Sequence, residues 1–229
     1  MSKPKSVVLL SAGLDSTVNL YMALQDTYVI QTLTFDYGQR AAPKEIERAK
    51  FISDKVNVPH KVVSLPVFKD FGQSSLIDRN QNVPTGSQVS IDDKKVSLDT
   101  AKSVWVPNRN GIFLNIAAGY AESLKAQVVI PGFNKEEAAT FPDNSYDFIR
   151  TLRKSFQYST SNHVDVLCFT INLNKNEIVE KGITLKVPFE MTWSCYLDGD
   201  KWCGQCESCK RSKRAYVNNK LDMLGYFKS

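Results

Sequence analysis

Four of the five cysteines lie close together near the C-terminal end, in an arrangement typical of a metal site. Cys195, Cys203, Cys206 and Cys209 are separated by seven, two and two residues. Four thiolates complete the tetrahedral coordination of Zn²⁺, so a zinc ion here would be structural. An iron–sulfur cluster is the alternative, but its usual run continues to a further Cys-Pro, which Lys210–Arg214 does not supply. The spacing favours one zinc ion per chain.

A second chemical feature is a turn of small and hydroxylated residues, Ser11–Thr17, which we call the N-terminal loop. It follows the apolar run Val7–Leu10 and has the sequence SAGLDST. Backbone N–H groups of small residues can approach phosphate oxygens, and the helix that follows adds positive partial charge at its N-terminus. The carboxylate of Asp15 would repel a phosphate, so we expect it to cap the helix or to hold Mg²⁺.

The N-terminal loop is not one of the two commonest nucleotide motifs. It lacks the G-x-x-x-x-G-K-[ST] pattern of the Walker A loop and the G-x-G-x-x-G pattern of dinucleotide-binding folds. On the residues alone, a phosphate-binding loop and an ordinary strand-to-helix turn with a polar cap are both open.

These residues need a scaffold, and the hydrophobic pattern predicts an α/β domain. Short apolar runs predict five strands, at 7–10, 28–35, 61–65, 128–130 and 165–171. Helical spacing predicts helices at 14–22, 43–56, 110–124 and 146–158, and one that begins at 175 with Asn174 as its cap. In the segment 110–124 the predicted apolar stripe is Ile112, Ile116, Tyr120 and Leu124. This alternation implies a parallel sheet with helices on both faces.

Two parts of the chain depart from this pattern. Residues 66–102 contain no long amphipathic segment, so we expect an irregular insertion that acts as a lid or a dimer contact. Residues 191–229 contain the cysteines and a basic tail. We therefore divide the chain into an α/β domain, 1–190, and a C-terminal zinc-binding segment, 191–229, packed on the same domain.

Composition narrows the class of protein. The 229 residues carry a net charge of +5 and are 42% hydrophobic, which excludes disorder, collagen and a disulfide-rich miniprotein. No run reaches the ~18 apolar residues of a membrane span, and the N-terminus lacks the apolar core of a signal peptide. We expect a cytoplasmic protein in which Cys168 is a free core thiol. The basic run Lys210–Arg214 is expected to be a solvated helix face or, alternatively, a phosphate contact.

Several segments together resemble a known family. Ser11–Ser16 resembles the SGGxDS loop of the PP-loop ATP pyrophosphatases, which bind ATP, release pyrophosphate and adenylate a substrate. Tyr37–Arg40, Val106–Asn110, Phe141–Asp143 and the cysteine spacing are similar, in the same order, to segments of one branch, the 7-cyano-7-deazaguanine synthases. The similarity runs over nearly the whole chain.

The resemblance implies a fold and a reaction. The fold would be a Rossmann-like α/β domain of the adenine nucleotide alpha hydrolase type, a parallel five-stranded sheet with a C-terminal zinc knuckle of four cysteines. The enzyme would use ATP with Mg²⁺ to convert 7-carboxy-7-deazaguanine and ammonium to the nitrile, through an adenylated carboxylate and an amide. It would form a homodimer, with neither a membrane nor a stable nucleic-acid partner.

The resemblance also implies site residues. Catalytic roles would fall on Asp15, Ser16, Arg40 and Arg109, since a planar guanidinium can clamp phosphate or carboxylate. The implied nucleotide contacts are Leu9, Leu10, Ser11, Ala12, Gly13, Leu14, Asp15, Ser16, Thr17, Tyr37, Gln39, Arg109 and Gly132. The implied substrate contacts are Phe133, Glu136, Glu137, Phe141 and Asp143. The implied zinc ligands are Cys195, Cys203, Cys206 and Cys209.

Two departures from the family pattern matter. Ala12 stands where the family usually has Gly, which would cost about 1 kcal/mol or more if the position needs a positive φ. In residues 132–145 the Pro-Asp core is present, but the Ser-Gly and Cys-Arg around it are not. Either Glu136 or Glu137 replaces the missing contacts by facing guanine-type N–H donors, or the acceptor differs. Phe133 and Phe141 would stack on a planar base or pack in the core.

Two other functions are open at this point. One is a PP-loop ligase that acts on another carboxylate or on tRNA; a tRNA thiolase would usually add cysteines, and only Cys168 is free. The other is a non-catalytic zinc protein that binds nucleic acid through the knuckle and the basic tail, which would leave the N-terminal loop and Arg40 without a purpose.

Overall fold

The computed structural model describes residues 3–72 and 74–228, and these are organised around one parallel sheet. Its strands are β1 (Lys5–Leu9), β2 (Tyr28–Asp36), β3 (His60–Ser64), β4 (Val128–Ile130) and β5 (Asp165–Val166). They lie side by side in the order β3-β2-β1-β4-β5, and every neighbouring pair is parallel. The predicted five-stranded parallel sheet is therefore confirmed.

Helices connect the strands and cover the sheet. Those of the described residues are α1 (Leu14–Asp26), α2 (Ala42–Lys55), α3 (Lys94–Val104), α4 (Arg109–Ser123), α5 (Lys135–Ala138), α6 (Tyr146–Ser159), α7 (Lys175–Thr184) and α8 (Glu207–Asn218). The predicted capping box of α7 is present, with Asn174 and Glu177 exchanging hydrogen bonds. Over the part of the chain that the structure describes, no helix is both long and apolar enough to cross a membrane.

Both faces of the sheet are covered, as the alternation of strands and helices predicts. Adjacent side chains of a strand point to opposite faces, and the fully buried Val7 and Val8 of β1 belong to different apolar clusters. The cluster of Val8 includes residues of α1 and α2, whereas that of Val7 includes Leu114 of α4 and Phe156 of α6. Continuous apolar strands result, because both faces of the sheet are buried.

The strand order creates a crevice where the site residues meet. The connection from β1 leads to β2 on one side, while β4 lies against the other side of β1, so the order reverses there. In open α/β sheets, ligands bind at such switch points, beyond the carboxyl ends of the strands. Gly132, just after β4, is required because a Cβ there would lie 2.5 Å from the Cα of Ser16. The segment after β4 and the first turn of α1 are thus in direct contact.

Two predictions about helices are wrong. Residues 66–102 are not irregular throughout, because α3 begins at Lys94. Its buried face is Ser97, Thr100, Ala101 and Val104, too polar and small to show apolar periodicity. In α4 the fully buried residues include Phe113, Leu114 and three alanines, whereas Ile112, Ile116 and Tyr120 of the predicted stripe are only partly buried against the same core and Leu124 is 39% exposed. Small residues face the sheet because they let the helix approach it closely.

The fifth strand is shorter than predicted, and its neighbour explains why. Strand β4 ends at Ile130, before Pro131, so residues beyond Leu167 have no strand to pair with. The N–H of Phe169 instead donates to the side-chain oxygen of Asn19 at 2.9 Å. The apolar run 165–171 therefore contains only two strand residues.

Candidate functional site

A cavity lies at the switch point and collects most of the predicted nucleotide contacts. Those that line it are Leu9, Leu10, Ser11, Gly13, Leu14, Asp15, Ser16, Tyr37, Gln39, Arg109 and Gly132. The two others, Ala12 and Thr17, belong to the same loop but are fully buried and do not line the cavity. Residues from β1, β2, α4, α7 and the segment after β4 thus share one space, although they are far apart in the chain.

The N-terminal loop is built from short polar contacts. The Oγ of Ser16 accepts a hydrogen bond from the N–H of Ser11 at 3.3 Å and lies 3.1 Å from the Oγ of Ser11. Ser11 in turn accepts from the N–H of Gly13. Gly13 is the N-cap of α1 and provides no side-chain cap, so the first turn of this helix presents its N–H groups without a competitor from its own cap.

Ala12 adopts a positive φ, the conformation that would explain the Gly usual at this position in the family. Its φ is +60°, in the left-handed region where an L-residue costs about 1–2 kcal/mol. Its carbonyl accepts a hydrogen bond from the N–H of Trp193 at 2.8 Å. The strained turn is therefore tied to the chain that precedes the cysteines.

Asp15 does not cap the helix, and that part of the prediction is wrong. It lies inside the first turn of α1, where Oδ2 contacts Lys175 Nζ and accepts from Asn134 Nδ2 at 3.2 Å. Its other oxygen, Oδ1, is buried and has no hydrogen-bond partner among the described residues. An unpartnered carboxylate oxygen beside the N-terminal loop would suit Mg²⁺, a hard cation that prefers oxygen ligands.

Lys175 connects two carboxylates beneath the cavity. Its side chain is 4% exposed, and Nζ contacts Asp15 and lies 2.8 Å from Glu137 Oε1. Burial disfavours ionisation of both acids. At Glu137 the nearby ammonium outweighs burial and lowers the pKa, whereas at Asp15 burial wins and raises the pKa to about 6. One buried cation thus pairs with two carboxylates, so the cluster of Lys175, Asp15 and Glu137 has a net negative charge when both acids are ionised.

The two arginines have different surroundings. Arg109 lines the cavity, its Nη1 lies 3.3 Å from the Tyr37 hydroxyl, and its guanidinium is 5.9 Å from the centre of that ring. Arg40 is not among the described residues that line the cavity. Its guanidinium donates to the carbonyls of Ser75 and Asp78, both at 2.8 Å, and to that of Gln81. Arg40 therefore holds the loop after β3 in place, and the geometry leaves the predicted clamp to Arg109.

Gln39 and Glu45 form a polar pair on the β2 side of the cavity. Gln39 Nε2 donates to Glu45 Oε2 at 2.8 Å and to the Phe35 carbonyl at 3.0 Å. Burial raises the pKa of Glu45 to about 7, and the hydrogen bond from Gln39 only partly opposes this. Glu45 thus carries a carboxyl whose charge changes near neutral pH.

The segment after β4 supplies four of its five predicted substrate contacts to the cavity. Phe133, Glu137, Phe141 and Asp143 line it, and the ring of Phe141 is stacked on Trp105, with centroids 6.2 Å apart. Glu136 does not line it, so the predicted contact is contradicted. Its carboxylate accepts from Arg211 at 3.0 Å and from the N–H of Lys175 at 2.8 Å.

The four predicted metal ligands converge. The sulfur atoms of Cys195, Cys203, Cys206 and Cys209 all lie within 4.8 Å of one another, and those of Cys203 and Cys209 are 3.9 Å apart. A tetrahedron with zinc–sulfur bonds of ~2.3 Å has sulfur atoms about 3.8 Å apart, so the quartet fits this ion. Backbone N–H groups also donate to sulfur, for example from Leu197 to Cys195 at 3.4 Å, as expected for thiolates.

Most of the basic run is engaged within the protein, whereas Lys213 is exposed as predicted for a solvated face. Lys210 donates to the carbonyls of Gly86 and Val89 at 2.7 and 2.6 Å. Arg211 is buried and pairs with Glu207 and Glu136, and Arg214 pairs with Asp92 at 2.7 Å. Lys210 and Arg214 thus hold α8 against the loop that precedes α3, and Arg211 connects it to α5.

Glu45, Lys175 and Ser194 are among the residues that line the cavity without being predicted from the sequence. For two of these three residues the sequence does contain a signal. Glu45 is a charged residue within the inward stripe of α2 that contains Ala42, Ala49 and Ile52. Lys175 is a cation in the first turn of α7, where the helix dipole favours acids. A charge that contradicts its local setting indicates a partner elsewhere.

Comparison with known proteins supports the resemblance. A family model described as queuosine biosynthesis protein QueC matches residues 5–220. A 7-cyano-7-deazaguanine synthase of Bdellovibrio bacteriovorus is 61% identical over 225 residues, which cover 98% of this chain and 97% of the relative. The protein of that name in Carboxydothermus hydrogenoformans is 49% identical, over 94% and 99%. In Methanosphaera stadtmanae it is 41% identical, over 99% and 100%.

Proposed function

The chain belongs to the QueC family of queuosine biosynthesis proteins, and from this premise we propose that it makes 7-cyano-7-deazaguanine from 7-carboxy-7-deazaguanine, ammonia and ATP. One observation carries the proposal. The cavity at the switch point brings together the N-terminal loop, a half-buried arginine and an aromatic wall, which would serve carboxylate adenylation.

The first half of the reaction makes an amide. A carboxylate is a poor electrophile, so one of its oxygens attacks the α-phosphorus of ATP and pyrophosphate leaves. Ammonia then adds to the acyl carbon, the acyl–oxygen bond breaks, and AMP and a proton are released. The second half activates the amide oxygen with another ATP, again with loss of pyrophosphate. Departure of AMP and a proton from this adduct leaves the nitrile, so each product consumes two ATP.

The protein's contribution is to position the reactants and to stabilise phosphate charge. The N–H groups of the first turn of α1 that Ser194 does not occupy and the hydroxyls of Ser11 and Ser16 would hold phosphate oxygens. Arg109 would clamp the α-phosphate or the carboxylate, since its fork can bind either. Asp15 would hold Mg²⁺ through its free oxygen, and the ion supplies positive charge between phosphates.

The acceptor would lie on the β4 side of the cavity. Phe133 and the stacked pair of Phe141 and Trp105 offer flat apolar surfaces for a planar base. Asp143 can accept hydrogen bonds from N–H donors there. These contacts would replace the residues that this chain lacks in segment 132–145. With Glu136 turned away and Glu137 occupied by Lys175, neither acid is the proposed replacement.

The remaining features follow from the same proposal. The four cysteines would hold one structural zinc ion, which supplies folding energy and no chemical step. Such a site needs reduced thiols, so we place the enzyme in the cytoplasm. Free ammonium would be the nitrogen donor. Two copies would form a homodimer, which sedimentation velocity would test directly.

The activity can be tested with purified protein. Incubation with ATP, Mg²⁺, ammonium and 7-carboxy-7-deazaguanine should give two AMP and two pyrophosphate per cyano product, measured by chromatography and mass spectrometry. Asp15→Ala should abolish AMP formation while the zinc content stays near one per chain. Asp26→Ala, at the exposed end of the same helix, should change neither.

The alternatives predict different results. Absence of acceptor-dependent AMP would overturn the proposal and favour a ligase for another carboxylate or tRNA. Tight, salt-sensitive tRNA binding without AMP would favour the nucleic-acid-binding function. That function has lost its main support, because Lys210, Arg211 and Arg214 are engaged within the protein.

A further inference from the structure

The first turn of α1 receives its cap from the other end of the chain. Gly13, the N-cap, has no side chain to offer, and the N–H of Leu14 donates instead to the Oγ of Ser194 at 3.2 Å. Ser194 is 9% exposed and also lines the cavity. A hydroxyl at this position satisfies one of the four N–H groups that every helix start leaves without a partner.

A second contact joins the same two segments. The N–H of Trp193 donates to the carbonyl of Ala12, the residue held at φ +60°. A left-handed alanine persists only where its surroundings fix it. Two consecutive residues, Trp193 and Ser194, thus hold the strained part of the N-terminal loop from outside.

The residue that follows is a metal ligand. Cys195 is 2% exposed, and its sulfur accepts from the N–H of Cys203 at 3.4 Å. A metal ion bound at Cys195 fixes the backbone at the end of the Trp193–Cys195 segment. The position of Ser194 relative to Leu14 then depends on whether the four sulfur atoms are held together.

We propose that Ser194 is a positioning residue that couples the metal site to the N-terminal loop, so that zinc and ATP each increase the other's affinity. This rests on the proposed function, since it takes ATP as the ligand of the loop. Coupling between two sites is reciprocal: if zinc orders the loop for ATP, bound ATP must retain zinc to the same degree. Zinc would therefore contribute to ATP binding without touching the nucleotide.

The test measures zinc loss rather than activity. Zinc released from the holoprotein to a chromophoric chelator is timed with and without saturating Mg²⁺–ATP, in the absence of acceptor. ATP should slow the loss several-fold in the natural chain. In Ser194→Ala, zinc should leave roughly fivefold faster even without ATP, as expected for a lost cap, and the protection by ATP should largely disappear.

A matched control distinguishes the coupling from a general loss of stability. Ser145→Ala removes the equivalent cap from α6, where the Ser145 hydroxyl accepts from the N–H of Phe148 at 3.1 Å. It should leave both the rate of zinc loss and the protection by ATP unchanged. Calorimetric titration should show roughly fivefold weaker ATP binding in Ser194→Ala alone.

Three outcomes would overturn the coupling. If ATP does not slow zinc loss in the natural chain, the two sites are independent. Ser194→Ala that binds ATP weakly but loses zinc at the normal rate shows that the hydroxyl touches ATP directly. Equal effects of Ser145→Ala show a general loss of stability. In each case synthesis of the cyano product by the natural chain would leave the proposed function standing.

Discussion

The N-terminal loop and the cysteine knuckle, residues 195–209, are both tight turns, but different forces hold them. The knuckle brings four sulfur atoms within 4.8 Å of one another, an arrangement that a bound metal ion would stabilise from inside. The loop has a left-handed alanine and a helix start without its own cap, and it is stabilised from outside by Trp193 and Ser194. The N-terminal loop is thus the turn that depends on its neighbours.

The largest expected effect is at the knuckle. Cys206→Ser removes a fully buried ligand, so we expect loss of zinc and a decrease of more than about 3 kcal/mol in the free energy of unfolding. Metal analysis and denaturant titration measure these. Cys168→Ser changes the one cysteine outside the quartet and should retain the metal. Zinc retained by Cys206→Ser would show that the quartet is not the metal site.

The next largest effect is beneath the loop. Lys175→Met leaves two partly buried carboxylates without their cation, which should cost about 3 kcal/mol at neutral pH. The cost should shrink as the pH falls, because protonation of Asp15 and Glu137 removes the unpaired charge. Urea titrations at pH 5 and pH 8 measure the difference.

Lys181→Met provides the control for this cluster. It makes the same substitution at an exposed position of α7 and should change stability by less than about 0.5 kcal/mol. A Lys175→Met protein as stable as this control at pH 8 would show that the cluster contributes no stability.

A smaller effect concerns the β2 side of the cavity. The pKa of Glu45 is raised to about 7, so between its ordinary value of 4.5 and 7 the folded chain binds a proton that the unfolded chain has lost. Its contribution to stability therefore falls as the pH rises through this window. Glu45→Gln should flatten that part of the profile and stabilise the protein by about 1–2 kcal/mol at pH 8.

The control for this profile is Glu47→Gln, on the exposed face of the same helix. It should leave the pH dependence of unfolding unchanged. If Glu45→Gln and the natural chain have parallel profiles from about pH 4.5 to 8, Glu45 titrates normally and the assignment of a buried carboxyl fails.

The smallest effect concerns the strained alanine itself. Ala12→Gly loses a buried methyl group worth ~0.8 kcal/mol but relieves the left-handed conformation, so the net change should be under about 1 kcal/mol. Ala23→Gly removes an equally buried methyl group within α1 and should cost about 1.5–2 kcal/mol. The difference between the two variants, from urea titration, measures the strain. Equal losses would show that Ala12 is unstrained.

Much of the architecture is readable from the sequence because it follows from local rules. Strand β4 has its predicted bounds, since Pro131 ends it, and α7 begins at its predicted cap, since Asn174 and Glu177 interact within one turn. The cysteine quartet is likewise local, because all four members lie within one short stretch of chain. Where the tertiary environment selects the face or the length of an element, as in α4 and β5, local pattern is insufficient.

The sequence by itself determined the parallel α/β fold, and it predicted the N-terminal loop as a phosphate site and the four cysteines as metal ligands, because each depends on residue types at short spacing. Only the tertiary structure decided which charges face the cavity. Glu136 and Glu137 are neighbours, yet one pairs with Arg211 of α8 and the other with Lys175 of α7. Arg40 and Arg109 differ in the same way, because the first binds carbonyls of the loop after β3 and the second lines the cavity. Folding decides which partner lies next to each of these side chains, and that partner comes from a residue far away in the chain.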